Sequence, residues 1–170
     1  MAKSKTLFIV RHAKSSWDDA GLSDIERPLN SRGKEEAPKI GKHLAGYDVK
    51  PDLITSSHAV RALKTAEKIA KELGFKKSDV LVNERIYAFD SAELLDVIRG
   101  FNDKYGSIML VGHNPAITSL VNELSSSKVD NVPTCGVVLL KFDIGKWKDV
   151  DRGSAALLEF DYPKKLWSRA

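Results

Sequence analysis

The segment TLFIVRH, residues 6–12, decides the fold class. It places four consecutive apolar residues directly before Arg11 and His12. A short apolar run of this kind is typical of a strand buried on both faces, as in a parallel sheet covered by helices. The two polar residues that follow stand at the carboxyl end of the strand, where ligands bind in open α/β sheets. The segment therefore predicts a buried strand with functional residues at its end.

Apolar runs alternate with helical patterns along the rest of the chain. The strand-like segments are residues 6–11, 52–56, 80–82, 107–111, 137–142 and 156–160. Apolar residues at helical spacing predict helices over residues 31–44, 60–73 and 117–124, and one that starts with Ser91 as its N-cap and reaches Phe101. The last two strands could pair as an antiparallel hairpin. We predict an α/β fold that forms a single domain over residues 1–170, with three α/β/α layers and a mixed, mostly parallel sheet.

The bulk composition excludes several classes of protein. The chain has 170 residues, of which 42% are hydrophobic and 29% charged, as is ordinary for one globular domain. Its N-terminal apolar run is too short for a signal peptide or a membrane span, so we expect a cytoplasmic protein with no membrane partner. The single cysteine fits a reducing compartment. The net charge is +4, but the lysines are scattered among acidic residues, and we predict no nucleic-acid partner. The oligomeric state stays open.

Two arginines and two histidines stand near the ends of predicted strands. Arg11 and His12 follow the first strand, Arg61 lies at the start of the helix after the second, and His113 follows residues 107–111. Because the carboxyl ends of parallel strands meet at one edge of a sheet, these side chains can converge on one pocket. Guanidinium groups bind phosphate oxygens in pairs, so the pocket is predicted to bind an anion.

Each of these residues alone has an ordinary structural explanation. A lone strand-end histidine is usually a hydrogen-bonded structural residue, and a lone arginine is usually solvated. The functional interpretation depends on all four falling at equivalent ends of separate units. The chain has no phosphate-binding glycine loop, no dinucleotide fingerprint and no nucleophile elbow. One cysteine and four dispersed histidines predict no metal site, and we expect no cofactor.

The motifs resemble those of the histidine phosphatase superfamily, which has the phosphoglycerate mutase-like fold. The family's Arg-His-Gly signature appears as Arg11-His12-Ala13, with alanine for the usual glycine, and its Ser-x-x-x-Arg-Ala-x-x-Thr-Ala motif appears at residues 57–66. Gly112-His113 matches the third motif, and residues 27–33 are similar to an Arg-Pro-Leu-Thr-x-x-Gly stretch. The four matches run in the family's order. The short chain also looks like the small phosphohistidine phosphatase branch, the SixA group.

The resemblance implies a covalent mechanism. His12 would take the phosphoryl group from the substrate, and water would then hydrolyse the phosphohistidine. Arg11, Arg61 and His113 would hold the phosphoryl oxygens. The family also places four substrate-binding positions at Ser15, Asp18, Asn114 and Cys135. Nearby guanidinium charges should lower the pKa of His12 and keep its ring neutral, whereas Cys135 has no base partner that would make it a nucleophile.

The leaving group separates the candidate substrates. Alkoxide release from a sugar phosphate needs a general acid, which mutases of this family supply as a glutamate after the third strand. The candidates here are Glu84, Asp90 and Glu93, with Asp18 as a fourth, and none matches the family position closely. Imidazole is a better leaving group than an alkoxide. We therefore expect a metal-independent phosphatase that acts on phosphohistidine in a signalling phosphotransfer protein.

Two alternatives stay open at this point. One is a broad-specificity phosphomonoesterase or small mutase of the same fold, acting on a small phosphorylated substrate. A carboxyl acid aimed at His12 would favour it. The other is a non-catalytic phosphate-binding module, which needs cationic groups but no nucleophile.

Overall fold

A computed structural model of the chain describes residues 3–167. Its six-stranded sheet consists of β1 (Lys5–Arg11), β2 (Leu53–Ser56), β3 (Leu81–Val82), β4 (Ser107–Gly112), β5 (Val137–Phe142) and β6 (Ala156–Asp161). The strand order is β3-β2-β4-β1-β5-β6. The first four strands pair in parallel, and β5 and β6 run antiparallel to their neighbours. The prediction of a mixed, mostly parallel sheet that ends in a hairpin is confirmed.

The helices are α1 (Ser31–Leu44), α2 (Val60–Glu72), α3 (Ser91–Arg99), α4 (Ala116–Leu124) and α5 (Pro163–Trp167). The first four match the predicted helices to within two residues. The prediction of Ser91 as an N-cap is wrong, because the Asp90 side chain accepts the hydrogen bond from the Glu93 amide at 3.1 Å. Both residue types cap helices well, so the pattern left their order ambiguous. Within residues 3–167, no helix combines the length and apolar character that crossing a membrane requires.

Each face of the sheet carries its own hydrophobic core. Successive strand residues point to opposite faces, so Leu7 and Ile9 of β1 join the core beneath α3 and α4. Phe8 and Val10 join the core beneath α1 and α2. All four side chains are fully buried. This arrangement confirms the three layers and the burial of β1 on both faces.

The register of the sheet brings three strand ends to the same height. Arg11 at the end of β1 pairs with Gly112 at the end of β4. Ser56 at the end of β2 pairs with Val111. The residues that follow these positions therefore begin next to one another, at the carboxyl edge of the parallel strands.

Candidate active site

A cavity of about 470 Å³ opens at this edge of the sheet. Its lining includes the four residues predicted to be catalytic: Arg11, His12, Arg61 and His113. Ser15 and Asn114 line it as well. The structure thus brings together side chains that lie more than a hundred residues apart in the sequence, such as Arg11 and Asn114.

The His12 ring is held in one tautomer. Its Nδ1 lies 2.7 Å from the carbonyl oxygen of Ala13. Because a carbonyl oxygen can only accept, Nδ1 carries the proton and donates it, and Nε2 keeps a free lone pair. Burial lowers the pKa of His12 to about 4. The hydrogen bond to Ala13 opposes this shift, and the positive charges of the nearby guanidinium groups add to it. The ring is therefore neutral at physiological pH and has the electron pair that a nucleophile needs.

Ala13 ties the nucleophile's loop to the helix that carries Arg61. The Ala13 amide donates to the Thr65 hydroxyl at 3.0 Å, and that hydroxyl donates to the Arg61 carbonyl at 2.7 Å. Within residues 3–167, Cys135 is the one non-glycine residue with a positive φ, so the backbone at Ala13 is ordinary. Alanine therefore fits where the family usually has glycine.

Asp24 joins two arginines inside the cavity. Arg61 donates to the Asp24 carbonyl at 2.6 Å and to its carboxylate at 2.9 Å. Arg27 donates to the other carboxylate oxygen, Oδ1, at 3.0 Å. The Tyr87 hydroxyl donates to Oδ2, the oxygen that Arg61 binds, at 2.5 Å. The hydrogen bond from Tyr87, followed by those from Arg61 and Arg27, lowers the pKa of Asp24 far below its usual range. Asp24 is therefore ionised throughout the physiological range.

Arg27 also shapes the loop that follows the nucleophile. Its guanidinium donates to the Ser15 hydroxyl at 2.5 Å and to the Ser16 carbonyl at 3.1 Å. The same group lies 3.2 Å from the centre of the Trp17 ring. Ser15 is thus positioned at the cavity by Arg27, the first residue of the Arg-Pro-Leu segment.

Arg11 keeps donors available for an anion. One terminal nitrogen donates to the Val132 carbonyl at 3.2 Å. Its Nε is buried and has no hydrogen-bond partner within the described residues. A buried, unpaired donor is costly, and Nε is closed off from solvent, so the donors that Arg11 can offer to an anion in the cavity are those of its terminal nitrogens.

His113 faces His12 across the cavity. The two ring centres are 5.1 Å apart. His113 Nε2 lies 2.8 Å from the Ser57 hydroxyl, and its Nδ1 is buried with no partner in the part of the chain that the structure describes. Burial, followed by the proximity of His12 and Arg61, lowers the pKa of His113 to about 3. His113 is therefore neutral here and brings no positive charge to the cavity.

The structure places the other two predicted substrate-binding side chains outside the cavity. Asp18 is exposed on the loop after Ser15. Cys135 is fully buried, and burial raises the pKa of its thiol. The Cys135 amide donates to the carbonyls of Arg11 and His12, so its contribution is to hold the backbone of the nucleophile. The assignment of both side chains to substrate binding rests on the family resemblance alone.

Asn114 lines the cavity, but its amide is occupied by the protein. Its nitrogen donates to Asn131 and to the Val132 carbonyl, and its oxygen accepts from Thr118. These bonds tether the loop that follows β4.

None of the candidate general acids reaches the cavity. Glu84 is exposed outside it, Asp90 caps α3, and Glu93 pairs with Arg85 at 2.6 Å. Asp24 is the one carboxylate in the lining within residues 3–167. Sequence reasoning missed it, although an acid three residues before Arg27 is a signal for a local ion pair. Tyr87 gave no sequence signal.

Within residues 3–167, no group of three or more His, Cys, Asp or Glu side chains could hold a metal ion.

Comparisons with known proteins agree with this geometry. The family model of the histidine phosphatase superfamily (branch 1) matches residues 7–90. An uncharacterized protein of Mycobacterium tuberculosis is 30% identical over 165 residues, covering 91% of this chain and 100% of the relative. A 2,3-bisphosphoglycerate-dependent phosphoglycerate mutase of Thermobifida fusca is 34% identical, but over 48% of this chain and 36% of the mutase.

Solved structures match over nearly the whole chain. A SixA structure from Agrobacterium tumefaciens has a TM-score of 0.77 and 27% identity, covering 94% of this chain and 98% of that one. A protein histidine phosphatase SixA complexed with tungstate has the same fold, with a TM-score of 0.77 and 24% identity over 95% of this chain and 99% of that one. The motifs, the fold and these matches together show that the chain belongs to the histidine phosphatase superfamily.

Proposed function

We propose that this chain is a phosphatase that removes phosphate from phosphohistidine on a protein, through a covalent intermediate on His12. One observation carries the proposal: the cavity joins a neutral nucleophile to arginines, and no carboxyl group among its described lining residues can give up a proton. Its one described carboxylate, Asp24, is held ionised by Tyr87 and two arginines. Such a site suits a substrate whose leaving group needs no strong acid.

The reaction consists of two displacements. Nε2 of His12 attacks phosphorus and the P–N bond of the substrate breaks. Its electron pair stays on the departing ring, which leaves as neutral imidazole because its other nitrogen already carries a proton. Water then attacks phospho-His12, the P–Nε2 bond breaks, and orthophosphate leaves with the neutral ring restored. Two easier steps replace one difficult step.

The surrounding residues supply position and charge. Arg11 and Arg61 hold the phosphoryl oxygens, and His113 donates a hydrogen bond to the same group. Fixed donors of this kind supply most of what phosphoryl transfer needs. The Ala13 carbonyl stabilises the His12 ring as it gains positive charge on phosphorylation, because it accepts the Nδ1 proton throughout.

The comparisons support this choice over a mutase or phosphomonoesterase. The SixA structure that shares 27% identity has a TM-score of 0.77, whereas a phosphoglycerate mutase structure from Bacillus anthracis, which covers 88% of this chain, has a TM-score of 0.62. An ester substrate would also need an acid, and the candidates Glu84, Asp90 and Glu93 lie outside the cavity. We further propose that the substrate is a cytoplasmic phosphotransfer protein and that the reaction needs no metal ion.

A substrate panel tests the proposal. It contains a histidine-phosphotransfer domain phosphorylated on its histidine, phosphoramidate, an aryl phosphate and 3-phosphoglycerate, each with and without a chelator. We expect kcat/KM for the two P–N substrates to exceed that for 3-phosphoglycerate by roughly a hundredfold or more. Release of the alkoxide from 3-phosphoglycerate needs a general acid, and roughly a hundredfold is what such an acid contributes. Activity should survive the chelator and disappear in His12→Ala.

Three results would reject parts of this account. Equal or faster turnover of 3-phosphoglycerate would favour the phosphomonoesterase or mutase. Loss of activity with the chelator would reject the metal-independent route. Tight oxyanion binding without any turnover would favour a phosphate-binding module.

A further inference from the structure

Two large aromatic side chains stand exposed at the mouth of the cavity. Trp17 is 76% exposed and Phe89 is 77% exposed. They are the two most exposed large hydrophobic residues within residues 3–167, and both line the cavity that contains His12. Exposed apolar groups next to a functional site commonly mark a surface where another molecule binds.

A continuous series of contacts links the two rings through the cavity. The Trp17 ring stacks on the Arg27 guanidinium, and Arg27 binds Asp24. Tyr87 binds the same carboxylate, and its ring meets Phe89 edge-on at 6.1 Å. These contacts hold both aromatic side chains in place and leave their outer faces uncovered. A preordered aromatic side chain loses little conformational entropy when a partner covers it.

Carboxylates flank both rings. Asp18 and Asp19 directly follow Trp17, Asp90 directly follows Phe89, and all three are exposed. None of them forms an ion pair within the described residues. The five residues, called the rim below, therefore combine apolar surface with three exposed carboxylates that have no ion-pair partner among the described residues.

The chemistry of the rim selects its occupant. A nucleic acid or an anionic membrane would be repelled by its three carboxylates. A protein surface with apolar and basic side chains around a phosphorylated residue would fit both the rim and the arginine-lined cavity beneath it. Aromatic residues are also enriched among those that dominate protein–protein binding energy.

We propose that the rim docks the folded protein that carries the phosphohistidine, by contacting apolar and basic side chains around its phosphorylated site. This inference rests on the proposed function, since it assumes a protein substrate. The rim adds affinity for that protein and adds none for a small P–N compound that only enters the cavity.

The test compares two substrates in each variant. The probes are a histidine-phosphotransfer domain phosphorylated on its histidine and phosphoramidate, and the readout is the ratio of their kcat/KM values. We expect the ratio to fall about tenfold in Trp17→Ala and in Phe89→Ala, mainly because KM for the domain rises. The double variant Asp18→Asn with Asp19→Asn should raise that KM and weaken its dependence on salt.

Trp167→Ala is the matched control, because Trp167 is an exposed tryptophan (42%) that does not line this cavity. The ratio of its kcat/KM values for the two substrates should equal that of the unmodified chain. An unchanged ratio in both rim variants, or an equal fall in Trp167→Ala, would overturn the docking proposal. A rim variant that changes the self-association of the protein but leaves the ratio of the two kcat/KM values constant would also overturn it. If the unmodified chain cleaves phosphoramidate but not the phosphorylated domain, the protein substrate itself is rejected, a result distinct from the other three.

Discussion

At His12, two features act on different properties of one imidazole. The bond from Nδ1 to the Ala13 carbonyl decides which nitrogen carries the proton. Burial decides how readily the other nitrogen would take one, and it keeps the pKa near 4. Each feature would be insufficient alone, because a nucleophile needs both an exposed lone pair at Nε2 and a ring that stays neutral at physiological pH.

Asp24 is the residue whose role is least expected, because it is an anion in an anion-binding cavity. Its carboxylate repels phosphate and occupies donors of Arg61 and Arg27. We predict that Asp24→Asn lowers the Kd for orthophosphate roughly fivefold. This factor corresponds to the removal of on the order of 1 kcal/mol of repulsion between near-surface charges. Isothermal titration calorimetry measures this change.

Asp48→Asn is the control for that variant, since it removes an exposed carboxylate outside the cavity. Its Kd should match that of the unmodified chain. Weaker phosphate binding in Asp24→Asn would mean that Asp24 matters more for orienting the two arginines than for repelling the anion.

At this scale the sequence predicted which side chains meet but not how they are used. Arg11, His12 and His113 could be placed because they lie at the ends of strands or directly after them, and a parallel sheet brings those ends together. Asp24 and Tyr87 lie in loops, where spacing does not determine direction. For the same reason the sequence could not show that Asp18 faces solvent.

At the scale of elements, the start of α1 packs against the loop after the nucleophile. The Asn30 amide donates to the Lys14 carbonyl at 3.0 Å, and the Asn30 side chain caps α1 by accepting from the Gly33 amide at 2.8 Å. Gly33 lies so close to that loop that a Cβ there would stand 2.1 Å from the Lys14 carbonyl oxygen. The glycine that ends the Arg-Pro-Leu-Asn-x-x-Gly stretch is therefore needed for close approach.

We predict that Gly33→Ala destabilises the protein by about 1–3 kcal/mol, the usual cost of overpacking, and also lowers kcat/KM. The loop must move to make room, and it carries the residues next to His12. Urea denaturation and phosphoramidate turnover measure the two effects.

Gly100→Ala provides the comparison, because its nearest neighbour would lie at an ordinary 3.5 Å and its φ is −90°. It should leave both quantities near their original values. If Gly33→Ala is as stable and as active as Gly100→Ala, then α1 does not support the nucleophile's loop.

The sequence predicted the long helices well and missed the shortest one. Apolar periodicity marked α1 and α2, which have 14 and 13 residues. It did not reveal α5, because five residues make little more than one turn and show no period.

For the whole molecule, the two buried histidines couple stability to pH. The pKa is about 4 for His12 and about 3 for His113 in the folded chain, against roughly 6.5 for a free histidine. Between pH 6.5 and 4 the unfolded chain binds protons that the folded chain does not. The folded state therefore loses stability as pH falls through this range.

We predict that the free energy of unfolding decreases between pH 7 and pH 5, with a slope that approaches about 1.4 kcal/mol per pH unit for each histidine below pH 6.5. Denaturant unfolding at a series of pH values measures it. The double variant His12→Gln with His113→Gln should have a much shallower slope over the same interval. Identical slopes would show that these two rings do not cause the pH dependence.

The strand order of the sheet was beyond sequence reasoning. The sequence indicated parallel strands and a terminal hairpin, but the position of β4 between β1 and β2 depends on tertiary packing. That position matters, because it sets His113 beside His12 through the pairing of Arg11 with Gly112.

The central claim is that Nε2 of His12 carries the phosphoryl group during turnover. A rapid-quench experiment tests it directly: the enzyme is mixed with phosphoramidate, and the reaction is stopped during turnover. Peptide mass spectrometry then follows, under alkaline conditions that preserve phosphohistidine. We predict one acid-labile phosphoryl group on the peptide that contains His12, formed fast enough to account for turnover and absent in His12→Ala. Turnover without that intermediate, or a phosphoryl group on another residue, would contradict the account.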